Sequence, residues 1–304
     1  MTIIERLQQH KDLQPYKIAL IVDEEQYTYG QLCDAIISME FNNTSRIINL
    51  GQFNDGQKNK VLLIQSLSFV EQLLQWLWGL YKGYIPMVCH NEMDVAYIDE
   101  LARIISVEGV PTSADFGVLT SGTTGRPKPL WRSESSWREF FDIQNNIFYI
   151  NKDTKIFLHG SFSFTGVSNM VVAVLWSGGT VITTSSLRPI RWIQLIDKYH
   201  VDHIYALPTK LRLLVRHCKS KLDSINYIIG GSQVLDRQLM EQLELICPNM
   251  EFILYYGASE LNYITYCTGK EWLDREGTVG RPFPFVKIAE QNGVIYVTTK
   301  HHIE

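Results

Sequence analysis

The sequence lacks any run of the roughly 18 uninterrupted apolar residues that a membrane-spanning helix requires. The closest stretch, MVVAVLWSGGTVI, is interrupted by Ser177, Gly178 and Gly179. The N-terminal segment, MTIIERLQQHKDLQ, also lacks the basic end and the following apolar run of a secretory signal. Together these absences predict a cytoplasmic protein without a membrane span.

Paired cysteines and a broad excess of positive charge are missing as well. The five cysteines are scattered and form no CxxC motif, so we interpret them as reduced thiols of a cytoplasmic protein. The net charge of -4 argues against a nucleic-acid partner, because such proteins usually carry a basic stripe. Positive charge does gather between Arg126 and Arg138, and a local patch of this kind favours a small anionic ligand.

Short apolar runs rich in β-branched residues alternate with amphipathic segments along the chain. Several runs are apolar throughout, which is typical of strands covered on both faces. The segments between them carry apolar side chains at helical spacing, as in EQLLQWLWGLYK, RPIRWIQLIDKYH and LDRQLMEQLELI. This rhythm predicts an α/β fold of mainly parallel β-sheets flanked by helices. The predicted strands are Lys17–Val22, Val61–Gln65, Phe116–Thr120, Thr180–Thr184, His203–Leu207, Asn226–Gly230, Phe252–Tyr256 and Val294–Thr299.

A polar, glycine-containing stretch, LTSGTTGRPKPL, follows the predicted strand that ends at Thr120. Ligand sites in open α/β sheets lie beyond the carboxyl ends of strands, so its position favours binding. Gly122 and Gly125 permit a tight turn whose backbone N–H groups face an anion, and Lys128 supplies positive charge. A surface turn without a ligand is the alternative that composition alone leaves open. The hydroxyl groups able to donate to phosphate oxygens belong to Thr120, Ser121, Thr123 and Thr124.

The spacing in this stretch does not fit the common nucleotide-binding loops. A Walker A loop requires a second glycine where Pro127 stands, and a serine or threonine where Pro129 follows the lysine. The dinucleotide pattern G-x-G-x-x-G is also absent. A phosphoryl-transfer enzyme of the Walker type is therefore disfavoured.

The stretch LTSGTTGRPK instead resembles the phosphate-binding signature of the adenylate-forming (AMP-binding) superfamily. That superfamily includes acyl- and aryl-CoA synthetases, luciferases and the adenylation domains of peptide synthetases. The match runs through Lys128 and departs at Pro129, where glycine is usual. Resemblance extends in order over roughly residues 18–299, through the segments YTYGQL, EQLLQWLWGLYKGYIPM, YALPTKLRLLV, IIGGSQVL, YYGASE and GTVGRPFPFVKI.

The resemblance implies an AMP-forming ligase that activates a carboxylic acid with ATP and Mg²⁺, forming acyl-AMP and releasing pyrophosphate. CoA or the phosphopantetheine of an acyl-carrier protein is then the implied thiol acceptor. Lys128 and Glu260 are the implied catalytic residues, with Glu260 as the Mg²⁺ ligand. The implied nucleotide-binding residues are Thr120, Ser121, Gly122, Thr123, Thr124, Gly125, Lys128, Gly230, Gly231, Ser232, Tyr256, Gly257, Ala258 and Ser259.

The segment HGSFSFTGVSN occupies the place of the family's substrate-gate motif. The implied substrate pocket contains Phe162, Ser163, Phe164 and Gly166, and its two phenylalanines favour an apolar acyl group, fatty or aromatic. No acidic residue lies in this segment, so an amino-acid substrate is disfavoured because its buried ammonium would lack a partner. His159 is either a catalytic contact or a hydrogen-bonded histidine at the end of a strand.

The family's TGD segment, hinge and small C-terminal domain have no counterpart before Glu304. We therefore expect the large N-terminal part alone, incomplete as an isolated chain. We expect it to divide into residues 1–185, with the phosphate-binding loop, and residues 186–304, with the adenine- and Mg²⁺-binding motif. The chain is the large domain of a longer enzyme, a half-enzyme completed by a partner, or a catalytically incomplete relative that binds a nucleotide or an aromatic or acyl ligand without turnover.

Overall fold

The computed structural model describes residues 1–40, 45–50, 60–120 and 127–303 of the chain. The helices within these ranges are α1 (Ile3–Leu13), α2 (Tyr29–Ser38), α3 (Phe69–Tyr81), α4 (Val95–Glu108), α5 (Ser135–Ile147), α6 (Thr165–Ser177), α7 (Pro189–Lys198), α8 (Pro208–His217), α9 (Arg237–Ile246) and α10 (Gly269–Asp274).

The strands are β1 (Ile18–Val22), β2 (Glu25–Thr28), β3 (Arg46–Asn49), β4 (Lys60–Ile64), β5 (Ile85–Val88), β6 (Phe116–Leu119), β7 (Pro129–Arg132), β8 (Lys155–Leu158), β9 (Thr180–Thr183), β10 (His203–Tyr205), β11 (Tyr227–Gly231), β12 (Glu251–Ala258), β13 (Asn262–Thr268), β14 (Arg281–Pro282), β15 (Lys287–Gln291) and β16 (Val294–Thr298). Every strand predicted from an apolar run is present, with bounds that differ by a few residues at most.

Two sheets contain most of these strands. In the described residues the larger sheet has the order β14-β13-β12-β11-β10-β8-β9-β1-β2, and the smaller sheet runs from β3 to β7 in chain order. The strands from β12 to β1 are parallel neighbours, as are β4, β5 and β6, whereas the strands added at the sheet edges are antiparallel. The α/β fold with parallel central strands is therefore confirmed. Strands β15 and β16 form a separate antiparallel pair.

The larger sheet does not divide at residue 185. Strands β1, β2, β8 and β9 precede that residue, yet they pair into the same sheet as β10 to β14, which follow it. The smaller sheet is formed entirely from the part of the chain before residue 133. The division into residues 1–185 and 186–304 thus stays a prediction, and it does not coincide with the boundary between the two sheets.

Alternation along the strands sends side chains into two cores, one on each face of the larger sheet. On β10 and β12, Tyr205, Ile253 and Tyr255 join one core, while Ile204 and Leu254 join the other. The first core also contains side chains of α1, α2, α3, α5 and α6 and of the smaller sheet, so these helices fill the space between the sheets. The second core is covered by α7 to α10, and α4 covers the outer face of the smaller sheet.

This layering brings the carboxyl ends of several parallel strands to a common region. Strand β6 ends at Leu119, β11 at Gly231 and β12 at Ala258, and each is followed by a segment singled out in the sequence. In the parts of the chain that the structure covers, no helix has the length and apolarity needed to cross a bilayer.

Tyr29 connects α2 to the turn between α6 and β9. Its fully buried hydroxyl donates to the carbonyl oxygen of Gly179 at 2.8 Å and lies 3.3 Å from that of Leu175. We expect Tyr29→Phe to lower the free energy of unfolding by about 1–3 kcal/mol, because it leaves a buried carbonyl without its donor. Chemical denaturation measures the change.

Tyr27→Phe is the matched control for this substitution. The Tyr27 hydroxyl donates only to the exposed carboxylate of Glu25, at 3.0 Å. We expect its removal to change the free energy of unfolding by no more than about 0.5 kcal/mol. Equal losses in the two variants would contradict the role assigned to Tyr29.

Candidate functional site

A cavity of about 720 Å³ lies where β6, β10, β11 and β12 end. Thr120 follows β6 and Glu260 follows β12, and both line this cavity. The position agrees with the rule that open α/β sheets bind ligands beyond the carboxyl ends of their strands. The residues predicted from the sequence that line it are Thr120, Gly166, Ser232, Tyr256, Gly257, Ala258, Ser259 and Glu260.

The two ends of the predicted phosphate-binding loop are joined by reciprocal hydrogen bonds. The backbone N–H of Thr120 donates to the Lys128 carbonyl oxygen at 3.0 Å, and the Lys128 N–H donates to Thr120 Oγ1 at 3.0 Å. The Lys128 side chain is exposed. The predicted phosphate-binding residues between these ends lie outside the described part of the chain, so their phosphate contacts stay a prediction; they are Ser121, Gly122, Thr123, Thr124 and Gly125.

Tyr256 to Ala258 end β12, and Ser259 and Glu260 begin the turn that leads to β13. The Tyr256 ring is half exposed at the cavity, and the Ser259 hydroxyl lies 3.2 Å from Thr165 Oγ1 at the start of α6. Glu260 is partly buried, and its carbonyl oxygen accepts from the Ile303 N–H at 2.9 Å. Its carboxylate has no ion pair or hydrogen bond to another described side chain, which leaves both oxygens available to a ligand.

Arg132 binds the backbone of this turn. The sequence indicated this residue only as part of a positive patch. Its fully buried guanidinium donates through Nη2 to the Ser259 carbonyl oxygen at 2.5 Å and through Nη1 to that of His301 at 3.1 Å. The side-chain amide of Asn262 donates to the His301 carbonyl as well, at 3.1 Å. Arg132 is the last residue of β7, the strand that begins directly after Lys128. It therefore connects the strand that follows the predicted phosphate loop to the segment that contains Glu260.

The glycines predicted beside adenine are packed within the sheet. A Cβ on Gly231 would lie 2.4 Å from the Tyr255 carbonyl oxygen, so only glycine allows β11 and β12 to approach this closely. Gly230 lies against the Phe252 ring in the same way. Neither lines the cavity, whereas Ser232 does so with a left-handed φ of 62°. Contacts of the two glycines with adenine stay a prediction.

Three residues of the predicted substrate motif face away from the cavity. Phe162 is buried, with its ring centroid 5.8 Å from that of Trp76 on α3. The buried Ser163 hydroxyl is hydrogen-bonded to His90 Nδ1 at 2.9 Å, and burial lowers the pKa of that histidine. The half-exposed Phe164 ring lies 5.0 Å from the His90 ring. Of the four predicted pocket residues only Gly166 lines the cavity, together with Thr165 and Asn169 of the same segment.

His159 does not line the cavity either. Burial, followed by the positive charge of Lys210, lowers the pKa of His159 to about 4. The Lys210 ammonium donates to the His159 carbonyl oxygen, and the imidazole lies 4.6 Å from the Trp192 ring. This environment keeps the imidazole neutral near pH 7 and favours a packing role over a catalytic contact.

The buried wall of the cavity contains polar groups to which the sequence analysis assigned no role. The hydroxyls of Tyr205 and Tyr255 are hydrogen-bonded at 2.7 Å, and the Tyr263 ring meets the Tyr255 ring edge-on with centroids 4.8 Å apart. Asn169 of α6 lines the same cavity. Burial raises the pKa of all three tyrosines, so their hydroxyls stay protonated. In the sequence, such tyrosines cannot be told from ordinary core residues.

Comparison with known proteins agrees with this architecture. A family model described as "AMP-binding enzyme" matches residues 116–299. The "Putative long chain fatty acid-CoA ligase VraA" of Staphylococcus epidermidis is 25% identical over 302 residues, covering 94% of this chain and 64% of its own length. The "Uncharacterized acyl--CoA ligase YhfT" of Bacillus subtilis is 28% identical over 174 residues, covering 57% of this chain and 36% of its own length. The chain thus spans less than two thirds of these relatives.

Solved structures share the fold at low sequence identity. The o-succinylbenzoate CoA synthetase (MenE) of Bacillus subtilis, in complex with ATP and magnesium ion, superimposes with a TM-score of 0.76 at 15% identity. The match covers 98% of this chain and 71% of that one. A luciferase-like enzyme from the mealworm Zophobas morio gives a TM-score of 0.78 at 14% identity, covering 100% and 87%. At these identities the likeness shows the fold alone.

Removing the Arg132 guanidinium tests its structural role. We expect Arg132→Met to lower the free energy of unfolding by about 3 kcal/mol or more, because two buried carbonyl oxygens, of Ser259 and His301, lose a charged donor. Chemical denaturation measures the loss. Arg138→Met is the control, since this partly exposed arginine donates to the Met1 carbonyl at 2.8 Å. We expect it to cost less than about 1 kcal/mol, and a similar cost for both variants would refute the assignment.

Proposed function

This chain belongs to the family of AMP-binding enzymes, and we propose that its cavity binds ATP and a carboxylic acid and joins them as acyl-AMP with release of pyrophosphate. The observation that carries the proposal is that Thr120 and Glu260, from separate sheets, line one cavity. CoA or a carrier-protein phosphopantetheine is the proposed acceptor of the acyl group. The proposed location is the cytoplasm.

The residues present fit a magnesium nucleotide. Mg²⁺ usually binds to one or two carboxylates together with phosphate oxygens and water. Glu260 supplies such a carboxylate, and no cluster of three or more His, Cys, Asp or Glu side chains able to hold a metal occurs in the described ranges. Glu260 would therefore hold Mg²⁺ jointly with the triphosphate, and the bound ion supplies neutralisation of the phosphate charge. The exposed face of Tyr256 suits an adenine ring.

The contribution of the protein to such a reaction is positioning and charge stabilisation. The hydrogen-bonded pair Thr120 and Lys128 joins the two ends of the predicted phosphate loop, and Thr120 lines the cavity. The Lys128 side chain does not line the cavity, and its proposed role is to add positive charge beside the loop. Arg132 holds the Ser259 carbonyl and thereby the turn that carries Glu260. Because these contacts fix the elements that would hold the triphosphate, they favour attack by a carboxylate on an ordered α-phosphate.

Calorimetric titration with ATP and Mg²⁺ tests the nucleotide site. We expect Glu260→Gln to weaken binding of Mg·ATP by about tenfold or more, because a neutral amide is a poor magnesium ligand. Glu244→Gln, on the exposed face of α9, is the control and leaves the affinity unchanged. Absence of binding in the unaltered chain, or equal affinity in both variants, would remove the nucleotide assignment.

Pyrophosphate release tests the reaction itself. Incubating the chain with Mg·ATP and a panel of fatty and aromatic acids is expected to release pyrophosphate only when a suitable acid is present. Amino acids are expected to be inactive, because no acidic residue within the substrate motif can pair with an ammonium group. Binding of ATP without release for any acid would instead support the alternative, a relative that binds a nucleotide or acyl ligand without turnover.

A further inference from the structure

Four buried polar side chains form one wall of the cavity. Asn169, Tyr205, Tyr255 and Tyr263, which we call the amide–phenol cluster, are between 3% and 7% exposed and all line the cavity. They come from α6, β10, β12 and β13, so the fold gathers them from distant parts of the sequence. The mouth of the same cavity is formed by exposed residues such as Val234 and Tyr256.

The first turn of α6 lies directly against the phenols. A Cβ on Gly166 would be 2.5 Å from the Tyr205 hydroxyl oxygen and 3.8 Å from that of Tyr255. Asn169 follows Gly166 by three residues, a spacing that places both on the same face of the helix. The Asn169 carboxamide therefore belongs to the same polar wall as the hydrogen-bonded hydroxyls of Tyr205 and Tyr255.

Asn169 is buried without a protein partner. Its side chain is 3% exposed, and neither Oδ1 nor Nδ2 makes a hydrogen bond within the described part of the chain. Buried amides are usually hydrogen-bonded, because desolvation without a partner is costly. Asn145 is a buried amide outside this cavity that is partly satisfied: its Oδ1 has no partner, but its Nδ2 donates to the Ala173 carbonyl at 3.0 Å and to Ser177 Oγ at 2.7 Å. The donor and acceptor of Asn169 are thus available to a group inside the cavity.

The charge of the cavity restricts what that group can be. Among the described lining residues, Glu260 alone carries a formal charge, and it is already assigned to the metal. The three phenols are neutral because burial raises the pKa of each. Apart from Glu260, the described lining residues offer a charged substituent no counterion in return for its lost hydration, whereas they offer a neutral polar group hydrogen bonds.

We propose that the substrate is a carboxylic acid whose acyl portion carries a neutral hydrogen-bonding group (a hydroxyl, carbonyl or carboxamide) and that Asn169 is the residue that recognises it. This inference rests on the proposed function, because it takes the acid to occupy this cavity. A plain alkyl chain would leave the Asn169 amide without any partner. Sites built to hydrogen-bond a substrate group reject the analogue that lacks it, because their own polar atoms then stay unpaired.

Matched pairs of acids test the inference on the unaltered chain. Hydroxybenzoates are compared with the corresponding methylbenzoates, and hydroxy- and oxoalkanoates with the parent alkanoates, by calorimetry in the presence of Mg·ATP. We expect the best polar acid to bind about tenfold or more tightly than its apolar partner. Equal or tighter binding of the apolar partner in every pair would overturn the inference.

Two substitutions test whether Asn169 is the residue that causes the preference for the polar acid. Leucine is close to asparagine in shape but cannot form hydrogen bonds. We therefore expect Asn169→Leu to weaken binding of the polar acid and so to reduce the preference to about twofold or less. The control Asn145→Leu replaces a buried amide outside this cavity and is expected to keep the preference. Persistence of the full preference in Asn169→Leu would show that Asn169 does not recognise the group.

Thermal unfolding and titration with Mg·ATP distinguish loss of recognition by Asn169 from loss of the fold or of the nucleotide site. Thermal unfolding without ligand is expected to show Asn169→Leu as stable as the unaltered chain or more so, since an unpaired buried amide is removed, whereas Asn145→Leu melts lower. A lower melting temperature for Asn169→Leu would contradict an unpaired amide.

Titration with Mg·ATP alone separates the two proposals. Normal nucleotide binding without a polar preference overturns only this inference, whereas loss of both nucleotide and acid binding overturns the proposed function with it.

Discussion

The fully buried guanidinium of Arg132 connects the two halves of the candidate site. It ends β7, which begins beside Lys128, and it donates to the carbonyl of Ser259, the residue before Glu260. A charged donor in a dry interior is stable only when its acceptors are fixed, so the guanidinium holds the turn after β12 against the smaller sheet. The shared core already packs the two sheets together, and this hydrogen bond adds a direct connection between the strand after the predicted phosphate loop and the turn that carries Glu260.

The central strands could be predicted because burial on both faces gives them an unbroken apolar sequence. Strands β4 and β11 are of this kind. Edge strands are covered less completely, so their patterns are weak: β3 is not among the strands predicted from apolar runs, and its residues are mostly half exposed. Strand order also depends on distant pairing, such as β1 beside β9, which no local pattern indicates. This pairing is why the sheets do not divide at residue 185.

Residues of the candidate site that stand in a contiguous motif could be predicted from the sequence. Residues that the fold brings together from distant segments could not. Thr120 and Glu260 were identified from the segments in which they stand, and both line the cavity. Phe162 and Ser163 belong to a matching segment too, yet packing against α3 and His90 directs them away from the cavity. Arg132 and Ser259 are 127 residues apart, and Asn169 is significant only because it lacks a partner. Contacts between distant residues, and the lack of a contact, are visible only in the folded structure and could not be predicted from the sequence.

The proposed function requires that the loop after Thr120 and the carboxylate of Glu260 bind the same magnesium nucleotide. A crystal structure of the chain with Mg²⁺ and a non-hydrolysable ATP analogue tests it most directly. We expect the triphosphate against the residues that follow Thr120, and Mg²⁺ about 2.1 Å from a Glu260 carboxylate oxygen. A nucleotide bound elsewhere, or a metal held by the phosphates with no approach to Glu260, would contradict the account.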